Sequence, residues 1–183
     1  MYTRNQAPLR THCSSCSTRQ TSMKASSEQQ AMKLNELIEA VIPNTDSSEA
    51  RSVLTRAFQI AVDSHKGYRR ISGEPYVNHA MAVANILAEW HAPLTAVAVG
   101  LLHDINNPDY SHGYSLDDVR SRLGADIFQL LEAMISLNRF MRNIERDFDT
   151  AAEASDTQYH ILSLLREDSD AIVIKIADRL HNL

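Results

Sequence analysis

The residues with the clearest chemical potential are His103 and Asp104, adjacent at the end of an apolar run containing Val97, Val99, Leu101 and Leu102. An imidazole nitrogen and a carboxylate oxygen together suit a divalent transition metal such as Mn, Fe or Zn. Neighbours on a helix point about 100° apart, and at a helix end both side chains can still converge on one ion. A His-Asp pair at such a place serves equally well as a helix cap, and the residue types alone do not separate the two readings. His79 lies on the preceding expected helix, and Asp178 lies in the stretch Lys175-Ile176-Ala177-Asp178-Arg179-Leu180-His181-Asn182. An acid on an apolar helix face is costly unless it is paired or bound to metal. Asp178 therefore either ligates an ion or pairs with Arg179 or Arg70, and both options stand at this level.

Bringing these residues together requires several helices to meet, and the hydrophobic pattern supplies them. Met32, Leu34, Leu37, Ile38, Val41 and Ile42 form a helical stripe that Pro43 ends. Asp46 or Ser47 can cap a second helix with Val53, Leu54, Ala57, Phe58, Ala61 and Val62 on its apolar face, and Gly67 lies just past its end. Tyr68 to Pro75 reads as a loop, punctuated by Gly73 and Pro75. A third helix is expected from about Tyr76 to Trp90, and a fourth from near Pro93 through Leu101 to Asp104. Asn106, Asn107 and Pro108 break it, and Ser115 with Asp117 and Asp118 marks a new start. Further helices are expected over 125–139, 157–166 and 170–182; the β-branched Ile172-Val173-Ile174 fits a short strand in isolation, but its flanking spacing favours a buried helix.

Composition narrows the classes of function. The 183 residues are enough for one domain with a sizeable core, and 5 Gly and 5 Pro are too few for a turn-rich all-β fold. No apolar run reaches the roughly 18 residues that cross a bilayer, so no membrane partner is expected. Residues 1–27 carry Arg4, Arg10, Arg19 and Lys24 and no acid; the remaining 14 basic and 23 acidic residues give the rest a formal charge of −9. That charge disfavours non-specific nucleic-acid binding, which depends on neutralising phosphates. It leaves room for a small phosphorylated substrate, because a bound cation reverses the local field. Residues 1–27, rich in Ser, Thr, Gln and Arg, are expected to be a disordered tail ahead of a domain over 28–183. This tail faintly resembles a transit peptide but lacks an amphipathic face, and no secretory signal is expected, because no apolar h-region follows Met1. Cys13 and Cys16 form a lone CxxC with only His12 near by, too few ligands for zinc, and nothing implies a disulfide framework. A reducing, cytoplasmic setting follows as the expectation.

The motifs themselves carry a family resemblance. Ala61 to Pro75, with His65, Gly67, Arg70 and Ser72-Gly73-Glu74-Pro75-Tyr76, is similar to the start of the RelA/SpoT hydrolase domain. The pattern continues through Tyr76-Val77-Asn78-His79 and Ala82 to Glu89, resumes at Gly100-Leu101-Leu102-His103-Asp104, and closes with Ile174 to Leu183. The resemblance spans roughly residues 50–183. It implies an all-α, compact HD-domain helical bundle with one divalent metal, Mn2+ being the ion expected, held by His79, His103, Asp104 and Asp178. It implies guanosine tetra- or pentaphosphate, (p)ppGpp, as substrate, and removal of the 3′-pyrophosphate by water. In that reading the ion acidifies a bound water and neutralises phosphoryl charge. Arg70 matches a base-recognition position and Asn182 one near the nucleoside, while His65 and His181 support the site through hydrogen bonds.

Some positions depart from the family pattern. Its hydrolases carry a Glu-Asp pair shortly after the HD pair, and the positions aligned directly from His103-Asp104-Ile105-Asn106 are Asn107 and Pro108. Neither can take a proton from water as a carboxylate does, which leaves Asp109, next in the chain, as the candidate acid/base. Ile71 stands where a basic residue is usual, and Met134-Ile135-Ser136-Leu137-Asn138 replaces a Gly-Val-Thr-Lys-Leu type segment. Two functions follow as expectations: a (p)ppGpp 3′-pyrophosphohydrolase, or a catalytically degenerate domain that binds metal or nucleotide and regulates a partner synthetase domain. A third is an HD phosphohydrolase for another nucleotide. The chain ends at Leu183, where the family's last ligand helix continues, so it is expected to be a fragment of a longer protein or a small stand-alone version. His91, His112 and His160 are expected in surface or loop positions.

Overall fold

In the computed structural model, residues 14–144 and 169–183 are described, with side chains over 28–142 and 169–183. The chain divides into two units, Met1–Lys33 and Leu34–Leu183. Helix α1 spans Ser14–Val41, so its first half lies within the stretch assigned to the tail. A 3-10 turn, Ile42–Asn44, follows where Pro43 interrupts the ladder. The second unit continues with α2 (Ser47–Ser64), α3 (Val77–Glu89), α4 (Leu94–Leu102), α5 (Leu116–Leu123), α6 (Ala125–Ile144) and α7 (Ser169–His181). No strand occurs among the described residues, and Ile172-Val173-Ile174 is helical. The helix expected over 157–166, His160 and the side chains of Cys13 and Cys16 lie outside the described residues.

Local chemistry sets the boundaries. Asp46 accepts from the backbone N–H groups of Ser48 and Glu49 and caps α2. Ser115 does the same for α5 through Asp118, and Gly124, at φ +92°, ends it. The apolar stripe of α1 buries Leu37, Ile38 and Val41, whereas Met32, read as part of it, is exposed. Helix α4 is apolar on every side, with each residue from Ala96 to Leu102 buried, and it packs against α2, α3, α6 and α7. A helix with no polar face can only sit at the centre of a bundle. At Gly100 the neighbours come so close that an added Cβ lies 2.6 Å from Leu87 Cδ1 and 3.4 Å from Ala84 Cα. The HD pair thus stands at the end of the most buried helix. None of the described helices is long and apolar enough to cross a membrane.

Candidate metal centre

Three elements of the second unit deliver the site. Tyr68 to Tyr76 folds back on itself through Arg70 N–H to Glu74 O and Tyr76 N–H to Tyr68 O, with Gly73 at φ +87° in the turn. This turn leads into α3, where His79 is 2% exposed. His103 and Asp104 emerge from the end of α4. In α7, Lys175, Asp178 and His181 share one face because they recur at helical spacing, and Asn182 follows just past the helix end.

The protonation pattern of the histidines follows from their partners. His103 Nδ1 lies 2.8 Å from the Gly100 carbonyl, an acceptor, so Nδ1 carries the hydrogen. His103 Nε2 is buried without a hydrogen-bond partner, 3.3 Å from Asp104 Oδ2 and 3.7 Å from Asp178 Oδ1. His181 Nδ1 accepts from Arg70 Nη1 at 3.1 Å, because a guanidinium only donates. His79 Nδ1, 2.9 Å from that same atom, must then be the donor. Its Nε2 is left with a lone pair, 3.2 Å from Asp178 Oδ1. Two bare ring nitrogens and two carboxylates therefore converge, and acceptors crowded together require a cation between them. His79, His103 and Asp104 each offer a ligand atom within 4.8 Å of the others. This mixed nitrogen and oxygen set fits a divalent transition metal.

Electrostatics agree with that demand. Burial opposes a charge on His103, but the Asp104 and Asp178 carboxylates outweigh it and raise its pKa. Burial also works against Asp104, yet the neighbouring His103 holds it far below the usual carboxylate range. Asp178 is lowered in the same way despite burial, with His79 beside it and then His103 and Lys175 favouring its charge. His79 is lowered, chiefly by burial, and stays neutral. The carboxylates around His103 thus favour a positive charge at this point of the cluster.

The surroundings hold these groups in place. Lys175 Nζ donates to Asp178 Oδ2 at 2.8 Å and to Asn138 Oδ1 at 2.9 Å. The cation bonded to Asp178 is thus Lys175, where the sequence pointed to Arg179 or Arg70. Asn182 Nδ2 donates to Asp178 Oδ1 at 2.8 Å, and Asn138 Nδ2 donates to the His103 carbonyl at 3.3 Å. Arg70 Nη2 donates to Asn182 Oδ1 at 2.6 Å. His65 is buried, donates from Nδ1 to the Tyr110 carbonyl at 2.7 Å, and so braces the loop after the HD pair. His91 and His112 are exposed.

These side chains open onto a cavity of about 810 Å³, within the usual range of about 300–1,000 Å³ for small-molecule sites. Arg70, Lys175, Arg142 and Arg179 bring positive charge to it, and Asn182 and Ile71 also line it. Asp109 also lines the cavity, exposed, and is outside the group formed by His79, His103 and Asp104. Asn107 donates to Asp104 Oδ1 at 3.3 Å, and its own carbonyl accepts the Asp109 N–H at 3.2 Å. Sequence reasoning gave no role to Tyr76, Asn138 or Lys175. Tyr76 and Lys175 stand inside the motifs that carried the resemblance, which was the available signal, and Asn138 closes the segment 134–138 that departs from the family pattern, which marked the segment without giving the residue a role.

Helices arranged around an HD pair, with His79 and Asp178 brought to it, define a class, and the chain belongs to the HD domain family, which matches residues 57–183. Its relatives are of the RelA/SpoT type. It is 33% identical over 147 residues to a GTP pyrophosphokinase of Streptomyces antibioticus, and 31% identical over 150 residues to the bifunctional (p)ppGpp synthase/hydrolase SpoT of Escherichia coli K12. Those matches cover 80% and 82% of this chain, but it spans only 16% and 20% of the two proteins' own length. A solved structure of a metazoan ortholog of SpoT that hydrolyses ppGpp is 25% identical, with a TM-score of 0.49 over 70% of this chain and 66% of that one.

Proposed function

We propose that the chain is a metal-dependent (p)ppGpp 3′-pyrophosphohydrolase acting in the cytoplasm, with Mn2+ held by His79, His103, Asp104 and Asp178. The observation that carries this reading is the convergence of bare His79 and His103 nitrogens with two carboxylates at one wall of a cation-lined cavity. When bound, the metal supplies Lewis acidity to water and to phosphoryl oxygen. The protein's own groups do the rest. Arg70 and Asn182 receive the nucleoside, and Arg142 and Lys175 offset phosphate charge. Asp109 takes a proton from the water that adds to the 3′-linked phosphorus; the bond from that phosphorus to the ribose 3′-oxygen breaks, the proton passes to this oxygen, and pyrophosphate carrying the water oxygen is released. The names of the relatives support the nucleotide class, and a synthetase domain is a fitting partner in a longer protein.

A second reading has its own support. Asn107 presents an amide to Asp104 and Pro108 is exposed, so neither aligned position supplies a carboxylate. In that case the domain binds metal or nucleotide and regulates a synthetase domain without turnover.

The deciding experiment measures pyrophosphate release from ppGpp by the purified chain with added Mn2+, with bound metal counted on the same sample. Turnover abolished by Asp178→Ala establishes the hydrolase. Bound metal without turnover, together with a large gain in Asn107→Glu/Pro108→Asp, establishes the degenerate reading. Neither metal nor turnover refutes both.

A further inference from the structure

Tyr76 stands just ahead of α3, three residues before His79, and is 5% exposed. Aromatic neighbours hold its ring from several sides. Tyr110 stacks on it at 4.5 Å and 13°, His65 leans against it at 4.9 Å, and His79 meets it edge-on at 5.4 Å. These are the separations at which aromatic pairs attract. In this cage the ring directs its hydroxyl at Asp104, donating to Oδ2 at 2.6 Å. The other oxygen of Asp104 accepts from Asn107.

The torsion that turns a carboxylate group has a broad, shallow profile, so an unrestrained Asp104 presents either oxygen at many angles. A donor on each oxygen removes that freedom. Oδ2 still has a second lone pair for an ion, and it already faces His103 Nε2 at 3.3 Å.

We propose that Tyr76 is a positioning residue for Asp104, keeping Oδ2 turned toward His103 Nε2 and so setting the affinity of the cluster for a divalent cation. The inference rests on the metal reading of the site given above. It also gives Asn107 a purpose, because an amide can steady Asp104 where a second carboxylate at that distance repels it. Burial, with the Asp104 charge beside it, pushes the Tyr76 hydroxyl pKa up, so it remains a donor at working pH.

Calorimetric titration of the metal-free chain with Mn2+ tests this. Tyr76→Phe keeps the ring contacts and removes the donor; its affinity is expected to fall about 10–100-fold, the usual loss when a partner of a metal ligand is removed. 4-Aminophenylalanine at position 76 restores a donor on the same ring and is expected to recover most of that loss. Comparing the two also sets aside any shared effect on folding, which circular-dichroism melts check directly. A Tyr76→Phe chain that binds Mn2+ as tightly as the unsubstituted one overturns the proposal and leaves the metal reading standing. A loss that the amino analogue fails to recover overturns it too, because a donor on the same ring is then not what sets the affinity. No Mn2+ binding by the unsubstituted chain overturns both.

Discussion

His79 and His181 face each other through their Nδ1 atoms at 2.9 Å, and the His181 atom also accepts from Arg70 at 3.1 Å. A residue that faces Asp178 in the His/Asp cluster is thereby linked to the cavity wall through a single nitrogen. The two donors settle which ring nitrogen of His79 is free for a ligand, a choice usually fixed by just such an outer partner.

Removing that acceptor should weaken metal binding. His181→Phe is expected to lower Mn2+ affinity about 10–100-fold while the fold persists, since His181 is only partly buried. Equilibrium dialysis with metal analysis measures it, and unchanged affinity would show that His79 needs no help from His181.

The pH dependence of stability has a definite sign. His103 is raised above 6.5 once the Asp104 and Asp178 charges overcome burial. A raised folded value gives stability that is complete below the unfolded value and lost as pH rises through the folded one. The metal-free chain should therefore weaken as pH climbs above about 6.5. Mn2+ should reverse this, because the ion replaces the proton. Asp104 and Asp178 act at the other end: their contribution is complete above the ordinary carboxylate range and is lost as pH falls through their lowered values. Urea unfolding across this range, with chelator or with Mn2+, reads both limbs. His103→Gln should abolish the alkaline loss, and a flat alkaline limb in the unsubstituted chain would contradict the assignment.

Gly100→Ala should destabilise the bundle. Alanine gains up to about 1 kcal/mol of helix propensity over glycine. Overpacking a filled core costs about 1–3 kcal/mol, and here the new methyl meets fully buried Leu87 and the backbone of Ala84. The second effect wins, and thermal unfolding should show a lower midpoint. A raised midpoint would mean that Leu87 moves aside freely.

If Asp109 takes the proton, Asp109→Asn should reduce ppGpp turnover about 10²–10⁴-fold with bound Mn2+ unchanged. Parallel rate and metal assays separate that result from damage to the ligand cluster.

Most of the helices could be read from the sequence because their apolar residues recur with helical spacing, and α4 stood out as an apolar run even without a polar face. The four residues of the cluster were legible from their types and from the motifs around them. The partner of Asp178 was not. Arg179, next in sequence, points about 100° away around the helix, whereas Lys175, three residues earlier, lies on the same face and reaches it. The role of Asn138 escaped notice because its contacts with His103 and Lys175 span 35 and 37 residues, beyond any local pattern. Helix α6 ran on to Ile144, past the expected end at 139. No proline or glycine stands there to stop it.

Arg70 has consequences for how anything enters the cavity. Its guanidinium is already engaged, with Asn182 on one nitrogen and His181 on another. Two of its five N–H donors are taken up in this way, and three donors and both flat faces remain for a guest. A ligand therefore meets an arginine already anchored at one edge, and it need not spend binding energy on stilling that side chain.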